Sequence, residues 1–342
     1  MNQILPPAFH QSISVADSSQ VGSARRAVQA ECERAGLDKT QTGRAAIIAS
    51  EIAANIVRHT RGGELLYRYL ELPAGAVVEI LGIDQGPGMA DSERCLADGY
   101  SSRGTSGTGL GAIRRQSDQF DLYSTLEGGS VVMARIAART AKAPQRSMGF
   151  SMGGISVPYP GEEVCGDSWR IRWRDGGMSL LMCDGLGHGL LASEASTAAA
   201  DIFQASSSWE PADILREIHS GLRGTRGGAV AVASFDQATR RLNYGGIGNI
   251  GGRLISNAGT RGLISVSGTA GLQAGRPQVF DYDWPTGILV VHSDGLQSRW
   301  ELGRYAGLLA HHPAVVAAVL YRDFKRGRDD ISVVALNPNH AC

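Results

Sequence analysis

The chain has 342 residues, with 33 Lys+Arg against 33 Asp+Glu and a formal net charge of zero. That length exceeds one typical core, so two domains are expected, and the balanced charge argues against a nucleic-acid or anionic-membrane partner, which would select a basic excess. No apolar run approaches the roughly 18 residues of a membrane span, the start Met-Asn-Gln-Ile-Leu-Pro-Pro lacks the marks of a signal peptide, and five scattered Cys without a Cys-x-x-Cys pair fit reduced thiols in a cytoplasmic protein.

In chain order, residues 24–36 read as a helix ended by Gly36, and a second helix is expected over about 43–59. Within it Ile48, Ile52 and Ile56 recur every four residues as an apolar stripe. Glu51, Asn55 and His59 recur at the same interval on a neighbouring face. A carboxylate and an amide are thus set one turn apart on a helix whose other side is buried. Residues 65–70 and 77–83 read as a β-hairpin that runs into Asp84-Gln-Gly-Pro-Gly-Met. Gly104-Thr-Ser-Gly-Thr-Gly-Leu-Gly111 opens a helix to Asp118, and residues 130–136 close this half as a strand. Glycines at a helix start leave backbone N–H groups and the helix dipole open to an anion.

The order Glu-x-x-x-Asn, Asp-x-Gly-x-Gly, then Gly-x-Gly-x-Gly before a helix resembles the GHKL (Bergerat) ATPase family. Within it the match is to the RsbT-like serine kinases that act as anti-sigma factors or stressosome switches. The resemblance implies an α/β sandwich that binds ATP with Mg²⁺. It implies that Asp84 accepts from the adenine amino group, that Asn55 binds the Mg²⁺, and that Glu51 is base or orienting group for a serine hydroxyl. Gly86, Gly88, Gly107, Gly109 and Gly111 would admit the nucleotide, under a short lid at 101–108 whose single cation is Arg103.

Residues 139–150 carry no apolar period but hold a Pro, a Gly and three cations, and read as a linker. Beyond it, strands are expected at 153–158, 170–174 and 178–183, then helices at 190–205 and 211–222. Further strands are expected at 229–235, 241–246, 252–256 and 287–293, helical segments near 303–310 and 313–323, and a last strand at 330–336. Strand runs interrupted by paired helices suggest packed sheets with helices outside. Three carboxylates stand at strand edges far apart in sequence: Asp184 in Cys-Asp-Gly-Leu-Gly-His-Gly, Asp294 in Ser-Asp-Gly and Asp329 in Arg-Asp-Asp-Ile-Ser. Such a set suggests a hard-cation site built from several strands. The 170–174 and 178–183 hairpin would bring Asp167 to the same edge as Asp184.

The blocks Gly-Asp-Ser-Trp, Asp-Gly-Leu-Gly-His-Gly, Ser-Asp-Gly and Asp-Asp-Ile-Ser resemble the metal-dependent type 2C (PPM) serine/threonine phosphatases, the SpoIIE and RsbX subgroup in particular. The resemblance implies an α-β-β-α sandwich holding two Mg²⁺ or Mn²⁺ ions that activate a water for in-line attack on phosphoserine. Asp184 would bridge the ions, the Gly185 carbonyl would help bind the first, Asp294 and Asp329 would hold the second, and Asp167 would act from the first ion's outer shell. Asp330 and His188 stand open between structural and chemical roles.

The expectation is an α+β protein with a GHKL domain at 1–138, a linker at 139–150 and a phosphatase domain at 151–342. By resemblance it is a cytoplasmic partner-switching enzyme, a serine kinase joined to a phosphoserine phosphatase. Its partner would be a STAS-domain protein of the anti-anti-sigma or stressosome type, with a sigma factor or other output protein downstream. Two alternatives stand beside this reading: a phosphatase whose first half is an ATP-dependent binding module, and a regulator with an inactive phosphatase half.

Overall fold

The computed structural model describes residues 9–72, 75–96, 109–138, 150–256 and 258–338. Backbone contacts gather the chain into two units, Met1–Met148 with Tyr305–Arg322 and Gly149–Arg304 with Asp323–Cys342. Among the described residues no helix is long and apolar enough to cross a membrane.

In the first unit, strands β1 (Gln11–Val15), β2 (Gly63–Leu72), β3 (Gly75–Asp84), β4 (Gln119–Thr125) and β5 (Gly129–Ala137) form one antiparallel sheet in the order β1-β2-β3-β5-β4. Helices α1 (Ser19–Arg34) and α2 (Lys39–His59) pack against it, and two short helices, α3 (Ser92–Cys95) and α4 (Gly109–Gln116), follow β3. The stripe Ile48, Ile52 and Ile56 is buried in a core with Leu65, Val78, Ile80 and Ala134. Burying each such side chain contributes about 1.5–3 kcal/mol. Helix and sheet meet closely at Gly82, where an added Cβ would lie 2.4 Å from Ile52 Cγ2.

Helix α2 starts four residues before the expected 43, because Asp38 and Gln41 form a reciprocal capping box. The Gln41 amide donates to Asp38 Oδ1 at 2.8 Å and the Asp38 amide to Gln41 Oε1 at 2.8 Å. Strands β1 and β4 lie outside the expected set. β1 is only five residues of mixed polarity, and β4 (Gln-Phe-Asp-Leu-Tyr-Ser-Thr) is largely half-buried, so neither shows a strong apolar run.

Across the sheet runs a polar rung: Arg68 on β2 faces Glu79 on β3, which faces Arg135 on β5, which faces Gln119 on β4. Arg68 Nη2 donates to Glu79 Oε1 at 2.9 Å and Arg135 Nε to Glu79 Oε2 at 2.7 Å. Burial alone would raise the Glu79 carboxyl, but Arg135 and Arg68 outweigh it and hold it well below the usual range. The segment Tyr305–Arg322 belongs to this unit and sits on the rung's far end. His311 Nδ1 lies 2.8 Å from Asp121 Oδ1, the His312 amide donates to Asp121 Oδ2 at 2.6 Å, and His312 Nε2 lies 3.3 Å from Arg135 Nη1.

The second unit begins with β6 (Ser151–Val157), β7 (Asp167–Arg174) and β8 (Gly177–Gly185), then helices α5 (Leu190–Ala205) and α6 (Pro211–Gly221). Strands β9 (Gly228–Asp236), β10 (Arg241–Ile247), β11 (Gly251–Ser256) and β12 (Gly259–Gly262) follow, then the two-residue strands β13 (Gly268–Thr269) and β14 (Gln273–Ala274). The unit ends with β15 (Val279–Asp283), β16 (Ile288–His292) and β17 (Ile331–Asn337). One five-stranded sheet has the order β15-β10-β9-β8-β7, the other β12-β11-β16-β17-β6. Both are antiparallel, and Trp169 Nε1 on β7 donates across to Ser156 Oγ on β6 at 3.1 Å. Helices α5 and α6 cover the first sheet, burying Phe203, Ile214 and Ile218 against Leu181, Val230 and Val232. The exposed edge strand β15 was not expected, since its Val-Phe-Asp-Tyr-Asp is charged and only Tyr282 is buried.

Candidate functional site

In the first unit, the four-residue spacing puts Glu51 and Asn55 on the half-buried face of α2, beside the start of α4. A Cβ added at Gly109 would lie 2.9 Å from Glu51 Oε2 and 3.4 Å from Asn55 Oδ1, so only a glycine lets the α4 N-terminus come this close. Arg44 of α2 fixes the other end of α4, donating to the Gln116 carbonyl at 2.8 Å and to Asp118 Oδ1 at 2.7 Å. Gly111 is buried in the first turn of the same helix.

Asp84 ends β3, opposite Gly63 on β2 and Ser130 on β5. Its Oδ1 accepts from the Gly86 amide at 2.8 Å, and burial raises its carboxyl above the ordinary value. A Cβ at Gly86 would meet Thr60 Cγ2 at 2.7 Å, and one at Gly88, which has φ +68°, would meet the Thr125 carbonyl at 1.9 Å. The turn after Asp84 is therefore closed to side chains on two sides. Thr60, absent from the expected set, caps α2 by donating to the Ile56 carbonyl at 2.8 Å and borders this turn. Gly107, Arg103 and the expected 101–108 lid lie outside the described residues, as does nearly all of the expected 139–150 linker.

In the second unit, the β7–β8 register sets Asp167 opposite Asp184. Burial, and then the charges of Asp294 and Asp329, push the Asp184 carboxyl up to about 8. Burial and the Asp294 charge push Asp329 up to about 6. Asp167 is pushed well above the usual range by burial and by Asp184. Asp167 and Asp184 thus face each other at the ends of β7 and β8, and Asp294 after β16 and Asp329 before β17 lie near enough for their charges to act on Asp184.

The donors fit hard divalent cations. They are all oxygens, they crowd like charges that a cation would relieve, and Asp167 Oδ1 is buried without a hydrogen-bond partner. Among the described residues, no group of three His, Cys, Asp or Glu side chains is gathered tightly enough to hold an ion as it stands. Gly185 is held by its amide, which donates to the Gly166 carbonyl at 3.0 Å, and a Cβ there would strike the Ala192 carbonyl at 2.1 Å.

The supporting residues were not in the expected set. Ser293 Oγ donates to Asp167 Oδ2 at 2.6 Å and accepts from the Ser332 amide at 2.9 Å. Asn249 Nδ2 donates to Asp294 Oδ2 at 2.7 Å. The sequence signal for Asn249 was its place in Gly-Ile-Gly-Asn, a glycine turn between two strands. Asp330 reaches back to the loop before β7, where its Oδ1 accepts from the Tyr159 amide at 2.9 Å. His188 is fixed on the same loop, with Nδ1 2.8 Å from Glu162 Oε1 and its ring stacked on Tyr159 at 4.2 Å.

Comparison with known proteins matches two stretches of the chain to different families. Residues 14–136 match the histidine kinase-like ATPase domain, and residues 174–339 match stage II sporulation protein E (SpoIIE). The phosphoserine phosphatase RsbX of Bacillus subtilis (strain 168) is 26% identical over 140 residues, 40% of this chain and 69% of RsbX. The serine/threonine-protein kinase RsbT of the same organism is 29% identical over 99 residues, 29% of this chain and 74% of RsbT. A solved structure from work on the bacterial stressosome, as a modular system adapted to control secondary messenger signalling, aligns with a TM-score of 0.52. Its identity is 24%, over 55% of this chain and 98% of that one, which speaks for the fold alone. The chain is a fusion of a histidine kinase-like ATPase domain related to the kinase RsbT with a SpoIIE domain related to the phosphoserine phosphatase RsbX.

Proposed function

We propose that the chain is a bifunctional cytoplasmic enzyme of a partner-switching pathway. Its first half phosphorylates a serine of a STAS-domain partner and its second half removes phosphate from phosphoserine. The domain limits we assign are 1–138 and 151–342, joined by 139–150. The observation that supports the reading is the register of buried Asp167 opposite Asp184, whose carboxyl also feels the charges of Asp294 and Asp329, with Glu51 and Asn55 beside Gly109 in the other unit.

In the kinase half Glu51 is the group that takes or orients the serine proton, and Asn55 would bind the metal that accompanies ATP. Asp84 would accept from the adenine amino group, while Gly86, Gly88, Gly107, Gly109 and Gly111 would leave room for the nucleotide. Phosphoryl transfer asks chiefly for such positioning and charge neutralisation. In the phosphatase half Asp184, the Gly185 carbonyl, Asp294 and Asp329 would hold two Mg²⁺ or Mn²⁺ ions, with Asp167 behind. When bound, these ions supply Lewis acidity and a water acidic near neutral pH. The protein's part is to hold the carboxylates: Ser293 orients Asp167 and Asn249 orients Asp294.

The test is label transfer from γ-labelled ATP to a STAS-domain protein by wild type, Glu51→Ala and Asp184→Ala. Label that accumulates with Asp184→Ala, stays low with wild type and is absent with Glu51→Ala supports two activities on one serine. If no variant adds label while wild type strips a phosphorylated partner, the first half is an ATP-dependent binding module. If wild type neither adds nor removes label, the proposal fails.

A further inference from the structure

Strand β16 delivers Asp294, and its last residue, His292, is 5% exposed and has no work in the phosphatase reading. Both nitrogens of its ring are engaged. Trp300 Nε1 lies 3.2 Å from His292 Nε2, and His292 Nδ1 lies 2.8 Å from the Ser293 carbonyl oxygen. An indole N–H can only donate and a carbonyl can only accept. The two contacts therefore fix one form of the ring: neutral, bare at Nε2, and donating from Nδ1 to Ser293.

The ring has no room to turn. The β11–β16 register sets Gly251 opposite His292, and a Cβ at Gly251 would lie 2.4 Å from Nε2, so the imidazole fills space that only a glycine leaves. Trp300 is 1% exposed and is itself anchored. Arg253 Nη1 donates to the Trp300 carbonyl at 2.5 Å, and the guanidinium lies over the indole ring at 4.4 Å.

The peptide unit that receives the His292 bond is gripped on its other edge as well. Its N–H, the Asp294 amide, makes a hydrogen bond to the Asp184 carboxylate. The C=O and N–H of a trans peptide point opposite ways from one rigid plane, so the imidazole and the carboxylate hold that plane between them. A line of donors thus runs from Trp300 through His292 and the Ser293–Asp294 peptide to Asp184, and in such a chain each bond polarises the next.

We propose that His292, locked by Trp300, is a positioning residue that aims the Ser293–Asp294 peptide at Asp184 and so sets Asp184 and Asp294 for cation binding, an inference whose purpose rests on the phosphatase reading of this half. Neither ring touches cation or substrate. Both act through the peptide, as outer partners of a metal site orient the groups that do the binding.

The experiment uses the full chain as wild type, His292→Leu, His292→Asn and Trp300→Phe. Asn can place an amide N–H where Nδ1 stands and Leu cannot, while Phe keeps an aromatic ring at 300 without the N–H. Two readings are taken: Mn²⁺ binding by calorimetry, and nitrogen NMR of the imidazoles in the metal-free protein, which reports the tautomer. Loss of such an outer partner predicts a roughly 10- to 100-fold rise in the Mn²⁺ Kd of His292→Leu. The rise should be smaller in Trp300→Phe, and Asn should restore most of the loss. His292 should be neutral with its proton on Nδ1 in wild type, and that preference should weaken in Trp300→Phe. A lowered melting temperature with an unchanged Mn²⁺ Kd marks a packing role and overturns the inference. So does a wild-type His292 protonated on Nε2. If His292→Leu does not fold, His292→Asn and Trp300→Phe decide the matter by the same readings, and equal Mn²⁺ affinity in Trp300→Phe and wild type counts against the relay. A wild type that binds no Mn²⁺ defeats the phosphatase reading, while the tautomer and its response to Trp300→Phe still decide whether the relay exists.

Discussion

Asp167 and Asp184 stand directly opposite each other across β7 and β8, on strands from the one hairpin that borders the carboxylate cluster. Two like charges facing in register repel. Ser293 bonds Asp167, while burial raises Asp184 and the charges of Asp294 and Asp329 raise it further.

The first prediction follows from that repulsion. Without divalent cation the second unit should be less stable than with it. Mn²⁺ at a hundredfold excess over its Kd should add about 2.7 kcal/mol, read as a raised melting temperature that a chelator reverses. Asp184→Asn should melt higher than the metal-free wild type, because one repelling charge is gone, and should lose most of the Mn²⁺ response. A wild type indifferent to Mn²⁺ and chelator would contradict the metal assignment.

Glu51 and Asn55 lie on one face of α2 but are assigned different work, so their variants should part. Glu51→Gln should keep Mg²⁺-ATP affinity and lose roughly 10²–10⁴ in transfer rate, the usual weight of a general base. Asn55→Ala and Asp84→Asn should lose ATP binding itself, measured by calorimetry or a fluorescent nucleotide. Equal loss of binding in all three would mean that Glu51 has no separate role in the transfer step.

Glu79 lies between two buried arginines and pairs with both. Glu79→Gln removes the charge it offers to both guanidinium groups and should cost about 3–5 kcal/mol, read by denaturant unfolding of the first unit. Near-neutral behaviour would mean that the rung relaxes to water.

Asp121 gives the pH prediction. Burial works against its charge, but hydrogen bonds from His311 and the His312 amide outweigh it and hold the carboxyl below its ordinary 3.8. A depressed carboxylate adds stability above its unfolded pKa, and that stability is lost as pH falls through the lower folded value. Denaturant midpoints should therefore drop as pH is lowered from 5 towards 2 in wild type, and drop less in Asp121→Asn, which starts lower at neutral pH. Parallel profiles would exclude Asp121 as a source of the acid sensitivity.

The elements and carboxylates that could be read directly share a physical mark. Asp184, Asp294 and Asp329 each sit where an apolar strand meets a turn or begins, and α2 announced itself by three isoleucines at one spacing. The supporting groups carry no such mark. Asn249 and Ser293 act through hydrogen bonds made across the fold, Asn249 to Asp294 and Ser293 to Asp167. Bonds between residues so far apart in sequence leave no local trace. Strands β1, β4 and β15 escaped for the opposite reason, being too short or too polar for periodicity to stand out.

The placement of Tyr305–Arg322 in the first unit bears on how such a gene could arise or be taken apart. A fusion of two independent modules can be undone by one cut in the linker. Here a break near residue 150 would strip the first module of His311 and His312, the groups seated on Asp121 and Arg135. The return segment ties inheritance of one unit to inheritance of the other, so a recombination event that separated them would have to supply a replacement for eighteen residues of the opposite half.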